Sequence, residues 1–307
     1  MSSQDQLSGD ERPLVHHFSH PPERVVSLVP SMTESLFDLG FGASVVGVTD
    51  YCVHPAAGVS GLPRLGGPKN PRVVEIIDLQ PDLVIANFEE NTRQSVEALE
   101  AAGVRVWVTF PKTVRQALDI LWTLAMLYQS PTAAARVESL EIGLDWVERA
   151  AQNREPIRYF CPIWYDETQE RQAWWMTFNQ HTYPHDVLDA LGAVNVFAGR
   201  ERRYPLDADL GWIEPVDPAR RDTRYPRVSA DEILAADPDA ILLPDEPYNF
   251  TETHQEQLKE QLGKLRAVRD GSILRFDGSL ITWHGTRLGK ALQILPALLD
   301  KSLLRSL

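Results

Sequence analysis

Only two cysteines occur in 307 residues, Cys52 and Cys161, and they lie more than a hundred positions apart. They make no CxxC pair and no zinc spacing, which leaves either one disulfide or two buried thiols, with the second expected. Long apolar runs are also missing. The longest uncharged stretch, Ile120 to Ala135, is broken at Ser130-Pro131 and falls short of the roughly 20 apolar residues that span a bilayer. Cations are outnumbered, 30 Lys and Arg against 43 Asp and Glu, for a net charge of −13. Such a balance argues against a nucleic-acid surface, which needs clustered Lys and Arg to displace counterions, and against docking on an anionic membrane face. The opening MSSQDQLSGDERPLVHHFSHPP is polar and has no apolar segment of the secretory kind. As written it predicts a cytoplasmic chain; a misread start site or export route would place the protein in the periplasm or outside the cell. No P-loop, GxSxG, HExxH or GxGxxG motif occurs.

What the sequence does contain is an alternation of strand and helix patterns. Arg24 to Val29 is β-rich and stops at Pro30, and Ser31-Met32-Thr33-Glu34 has the spacing of a capping box opening a helix that ends near Gly40. Val45 to Thr49 reads as a strand, Pro55 to Pro71 as a loop, and Val73 to Gln80 as a helix. Asp82 to Ala86 is nearly all apolar, as in a parallel sheet covered on both faces. A helix over about 91–102 and a strand over Val104 to Val108 complete an α/β lobe. Thr113 to Gln129 and then Ser130 to Asn153 have helical periodicity, the second opening on Ser at the N-cap and Pro at N1. At 1.5 Å per residue that second helix runs about 35 Å, enough to link two lobes. After Pro156 the pattern resumes with a strand at Arg158 to Phe160, helices at 184–191 and 229–237, and strands at Val194 to Phe197 and Asp239 to Leu243. The halves echo each other: Leu39-Gly40 is matched by Leu191-Gly192, and Glu75-Ile76 with Pro81-Asp82 by Glu232-Ile233 with Pro238-Asp239. The boundaries expected are a polar tail at 1–23, a first α/β lobe at 24–129, a connecting helix at 130–153 and a second α/β lobe at 154–307.

The segments RVVSLVPSMTESLFDLG, VVGVTDYCVHP, LPRLGGPKN, LQPDLVIAN, NQHTYPHDVLDALGAVNVF and VSADEILAADPDAILL resemble the helical-backbone metal-receptor superfamily, which serves uptake of cobalamin, ferric siderophores and haem. Thr49-Asp50-Tyr51-Cys52 and the Gly66-Gly67 loop lean toward its cobalamin-binding branch. The resemblance implies two α/β lobes with mainly parallel sheets, joined by a long rigid backbone helix, with the ligand in a cleft between them. It implies no cofactor of the protein's own and a ligand that is cobalamin or a related corrinoid, with haem or a ferric siderophore as alternatives. Loops at the carboxyl ends of the strands would line that cleft. They select Pro30, Ser31, Tyr51, Pro68, Lys69, Asn87 and Phe88 in the first half, and Trp164, Trp174, Trp175, Tyr225, Tyr248, Trp283 and His284 in the second. Aromatic walls with a few polar groups suit a flat macrocycle. Of the adjacent Trp174 and Trp175, at most one is expected to be buried, because neighbours on a strand face opposite ways. If the ligand were haem, His284 and Tyr225 are the residues to watch as axial ligands.

Protein-held metal is not expected: His16-His17 with His20 lie in the tail, and Pro184 separates His181 from the helix that carries His185. The Arg-rich stretch 200–227 either grips carboxylate or phosphate edges of a ligand or is a solvated insertion. Family members that serve a transporter carry a carboxylate on each lobe for docking to arginines of an ABC-transporter permease. Asp231 stands at that place in the second half, but Val74 stands there in the first, with Glu75 one step on. The leading expectation is a non-catalytic chelate-binding protein that does not dock on a permease. The alternatives are an extracytoplasmic ABC-transporter receptor for ferric siderophore or haem, and a corrinoid-modifying or hydrolytic enzyme with Asp166, Glu167, His181 or His284 as acid or base.

Overall fold

In the computed structural model, residues 18–170 and 172–300 are described. They form two compact units, the first ending at Phe110 and taking in Ala117–Ser139, the second comprising Pro111–Gln116 and everything from Leu140 on. Each unit has its own four-stranded, all-parallel sheet. In the first the strands are β1 (Val25–Ser27), β2 (Val45–Val48), β3 (Leu83–Asn87) and β4 (Val106–Thr109), in the spatial order β2-β1-β3-β4. Helices α1 (Pro30–Asp38), α2 (Val73–Asp78) and α3 (Arg93–Ala101) connect them. Strand β3 is buried along its whole length, and Val26, Leu28, Val84, Ile76 and Leu99 pack into one core.

The second unit repeats this plan. Strands β5 (Arg158–Phe160), β8 (Val194–Asn195), β10 (Ala240–Pro244) and β11 (Ile273–Phe276) run parallel in the order β8-β5-β10-β11. It adds a three-stranded antiparallel sheet, β6 (Trp164–Glu167), β7 (Ala173–Met176) and β9 (Arg227–Ser229), with β7 in the middle. In chain order, α4 (Val114–Leu127) and α5 (Pro131–Ala151) follow β4 and precede β5. Helix α5 is unbroken through the point where one unit gives way to the other, and the Ser130 hydroxyl accepts the Ala133 N–H at 3.2 Å as the N-cap expected there.

The sequence echo is structural. In the first unit Arg24 Nη2 donates to the Leu79 carbonyl at 2.6 Å, at the end of α2, while Asp82 accepts the backbone N–H of Glu23 at 2.8 Å and of Arg24 at 3.1 Å. In the second, Arg158 donates to the Ala236 and Asp237 carbonyls at 2.7 and 2.9 Å, and Asp239 accepts the Arg158 N–H at 3.1 Å. The helix before each Pro-Asp pair ends in a left-handed residue, Gln80 at φ 48 and Asp237 at φ 42. The Leu-Gly pairs match as well: Leu39 and Leu191 are the C-caps of α1 and of α6 (Tyr183–Ala190), and the next residues, Gly40 at φ +91 and Gly192 at φ +79, adopt the left-handed turn that glycine tolerates best.

Several local expectations are corrected. Helix α1 begins at Pro30, so Ser31 is not its cap; Pro30 has no N–H to satisfy, and Thr33 turns inward to Ser27 Oγ at 2.8 Å and the Val29 carbonyl at 3.1 Å. Ser229 caps α7 (Ala230–Ala236), accepting the Glu232 N–H, while the Glu232 carboxylate is held by Arg200 Nε at 2.7 Å. Both cysteines are free and buried, as expected, and burial pushes both thiols up.

The stretch 200–227 is a folded insertion around one acid. Asp209 is 0% exposed and accepts from Arg200 Nη1 at 3.0 Å, the Arg203 N–H at 2.9 Å and the Arg227 N–H at 2.8 Å. Removing one partner of a buried pair leaves the other charge uncompensated. Asp209→Ala is therefore expected to destabilise the protein by about 3 kcal/mol or more, read from urea unfolding; a loss near zero would contradict this role.

Candidate functional site

The carboxyl ends of β1 to β4 gather the first unit's candidate residues, and one amide organises them. Asn91 Oδ1 accepts the Asn87 N–H at 2.7 Å, while Asn91 Nδ2 donates to the Pro68 carbonyl at 3.0 Å and the Leu28 carbonyl at 3.4 Å. Asn87, at the end of β3, accepts the Glu89 and Glu90 N–H groups at 2.8 and 3.3 Å, and Lys69 Nζ donates to the Glu89 carbonyl. Asn87, Pro30 and Ser31 are buried and support the edge from beneath. The hairpin that carries Lys69 in its turn begins at Gly66, at φ +84, whose carbonyl accepts the Asp50 N–H at 2.9 Å.

On this frame two aromatic rings stand out. Tyr51, beyond the end of β2, is 64% exposed and flanks Gly67. Phe88 is 50% exposed and rests on Phe110, ring centres 4.7 Å apart. Sequence reasoning overlooked Asn91 and Phe110. Asn91 sits just before the capping residue of α3 and reads as an ordinary helix-start polar residue. Phe110 lies one residue past β4, where the sequence carries no motif to mark it.

In the second unit, Trp164 is 42% exposed and meets the edge of Tyr248 at 5.3 Å. Tyr248 is fixed by His254, whose Nε2 lies 2.9 Å from the phenol oxygen. The Thr251 backbone N–H meets His254 Nδ1 at 3.1 Å. A backbone N–H only donates, so Nδ1 accepts and Nε2–H points its proton at Tyr248. His254 was absent from the sequence-based set because its role comes from the turn before α8 (Glu252–Gln261). Trp283 is half-buried, bonded by the Glu246 carboxylate and covered by Arg287, with Cζ 4.4 Å from the ring centre. Glu246 also accepts from Thr282 Oγ1 at 2.7 Å, and its burial raises its carboxyl above the ordinary range. Tyr225 is half-buried with Arg224 5.2 Å from its ring.

The Trp pair departs from expectation. Both Trp174 and Trp175 are buried, because β7 is central in its small sheet and covered on both faces: Trp175 enters the core with Phe160, Val228 and Ile233, and Arg227 lies 5.7 Å over Trp174. His284 is buried too, edge-on to Tyr183 at 6.2 Å, which withdraws it from the surface position expected of an axial ligand. His181 precedes the first turn of α6, as Pro184 foretold, while His185 within that helix lies 3.4 Å from Asn195 Nδ2. His16 and His17 lie outside the described residues. Among the described residues no group of three His, Cys, Asp or Glu is set to hold a metal ion, and no helix is long and apolar enough to cross a membrane.

For docking, Val74 and Glu75 are both exposed, and Glu75 is engaged by Arg72 at 2.7 Å within α2. Asp231 is exposed in the first turn of α7, while its neighbour Glu232 is taken by Arg200.

Burial lowers the His284 imidazole to about 4 from an ordinary 6.5. Its neutral form is favoured in the folded state, so its contribution is complete above pH 6.5 and is lost as pH falls toward 4, when the unfolded chain takes up the proton first. Unfolding free energy is expected to drop by on the order of 3 kcal/mol over that window from this group, and His284→Asn should flatten the urea-measured pH dependence by about one proton.

A family model described as periplasmic binding protein matches residues 25–280. The vitamin B12-binding protein of Vibrio cholerae is 27% identical over 186 residues, which are 60% of this chain and 64% of that relative. This chain thus spans under two thirds of the length of the curated relatives it matches first. An uncharacterized ABC transporter substrate-binding lipoprotein of Bacillus subtilis is 24% identical over 277 residues, 87% of this chain and 76% of its own. Among solved structures, the periplasmic vitamin B12 binding protein of V. cholerae superposes with TM-score 0.71 at 21% identity, covering 91% of this chain and 97% of that one. The apo periplasmic heme-binding protein of Roseiflexus sp. RS-1 does so with TM-score 0.71 at 22% identity, covering 92% and 99%. At these identities the structures establish a shared fold. With the matched segment reaching from the first strand of one unit to the short helix that follows the last strand of the other, the chain belongs to the periplasmic binding protein family, and the family resemblance read from its sequence is upheld.

Proposed function

We propose that this protein is a non-catalytic binding protein for a metal chelate, with a corrinoid such as cobalamin as the ligand. One observation carries the reading: the carboxyl edge of the first parallel sheet and the start of β6 in the second unit hold large aromatic faces in solvent, Tyr51, Phe88 and Trp164, beside hydrogen-bonded polar side chains. Apolar rings held rigidly in water are an unfavourable arrangement that a flat apolar macrocycle relieves. Amide and carboxylate edges of the same ligand would meet Lys69, Tyr225 and Trp283. The vitamin B12-binding names among the relatives favour the corrinoid over haem or a siderophore. Of the acids and bases named for the enzyme alternative, His284 is buried, and Asp166, Glu167 and His181 are exposed.

In place of the expectation of no docking, a permease partner is part of the same reading, supported by the ABC transporter substrate-binding relative, with Asp231 as the exposed carboxylate of the second unit. Glu75 is the weaker half, engaged as it is by Arg72. The expectation of a cytoplasmic chain rested on residues outside the described range, and relatives with periplasmic names do not support it; fractionation of cells followed by N-terminal sequencing decides the compartment.

The test is an absorbance titration of the purified protein with cyanocobalamin, cobinamide, haemin and a ferric hydroxamate. Saturable binding of a corrinoid at micromolar concentration or below is expected, with the corrinoid recovered unchanged by chromatography. Phe88→Ala and Trp164→Ala should each weaken it about tenfold, a loss near 1.4 kcal/mol. Binding of none of the four would remove the ligand assignment and leave the fold.

A further inference from the structure

The insertion at 200–227 holds two guanidinium groups whose needs the protein leaves unmet. Nε of Arg202 and Nε of Arg227 are buried and meet no acceptor among the described residues. Two carboxylates lie nearby, and both are committed. Asp209 gives its oxygens to Arg200 and to the Arg203 and Arg227 backbone N–H groups, and stands 4.0 Å from Arg227 Nη1, beyond hydrogen-bond reach. Asp222 is taken by Arg224, at 2.9 Å from Nε and 2.5 Å from Nη2. Arg202 instead stacks on Tyr204, 4.4 Å from the ring centre, with Arg221 stacked 4.1 Å from the same ring. Arg227 lies over Trp174 and keeps 16% of its side chain exposed, while its Nε is itself shielded from solvent.

Burial, and after it the charge of Arg202, holds the Arg227 guanidinium below its ordinary range. Two partly buried cations that repel each other, each with an unused N–H, are offset only in part by Asp209, 4.0 Å from Arg227 Nη1, and by Asp222. An oxyanion reverses both terms: it screens the repulsion and accepts charge-assisted hydrogen bonds, which are about twice as strong as neutral ones. The planar forks of arginine match the oxygens of phosphate or carboxylate.

We propose that Arg202 and Arg227 form an oxyanion subsite that takes an anionic edge of the bound chelate, the phosphodiester of a corrinoid's nucleotide tail. The identity of that edge rests on the corrinoid reading above; the existence of the subsite does not. Its consequence is selectivity. Cobalamin carries the phosphodiester and cobinamide does not, so the complete corrinoid is preferred.

Calorimetric titration of the full chain with cyanocobalamin and with dicyanocobinamide tests this, using wild type, Arg202→Gln with Arg227→Gln, and the milder single variant Arg202→Gln. Wild type is expected to prefer cyanocobalamin by about tenfold or more. The ratio should fall to within about twofold in the double variant and to an intermediate value in the single one. No preference in wild type, or a preference that survives in both variants, overturns the proposal. If neither corrinoid binds, the corrinoid reading fails, and inorganic phosphate becomes the probe. A saturable rise in unfolding midpoint with phosphate in wild type, lost in Arg202→Gln, then supports an oxyanion subsite, and no such rise overturns it.

Discussion

Each unit hangs on an arginine at the entry of its central sheet. Arg24 and Arg158 reach the last carbonyls of the helix preceding a neighbouring strand, while Asp82 and Asp239, opening that strand, accept the arginines' own backbone N–H groups. A cation at a helix C-terminus is favoured by the helix dipole, and the carbonyls there have no intrahelical donors. Strand start, helix end and next strand start are thereby tied at one corner. With the amino-terminal edges tied, the opposite edges are free to carry loops of unlike length and content.

Those loops are ordered by short polar side chains working inward. Asn91 and Asn87 in the first unit, and His254 and Glu246 in the second, spend their hydrogen bonds on backbone or on neighbouring side chains. Buried polar groups that are satisfied rigidify their surroundings. The rings they support have no comparable duty within the protein, and Tyr51 and Trp164 remain in solvent. In the first unit this division of labour, Asn87 and Asn91 buried and Tyr51 and Phe88 exposed, inverts the usual arrangement of a protein surface.

Much of the parallel framework was legible in the sequence, because buried strands such as Leu83–Asn87 are continuous apolar runs and because Leu-Gly and Pro-Asp pairs recur in the same order in both halves. The repeat was visible as spacing; the arginines that give it physical meaning were not, since Arg24 and Arg158 act on carbonyls far along the chain. The small antiparallel sheet escaped because its strands, at 164–167, 173–176 and 227–229, are brought together across a long insertion. For the same reason Trp174 and Trp175 were expected to differ: alternation along one strand says nothing of what covers its far face. Aromatic candidates at strand ends were found by position alone, whereas the amide that aligns three of the loops carries no pattern beyond an Asn before a helix.

Asn91 bears on how fast a ligand can be captured. A single side chain holds the end of β3, the Pro68 turn and the exit of β1 in register before anything binds. Loops tied in this way have already lost their conformational entropy during folding, so encounter need not wait for them to order. A ligand of the proposed kind would meet a finished surface on the first unit, so that its association would be governed by diffusion and orientation and its residence time by how well the rings fit it.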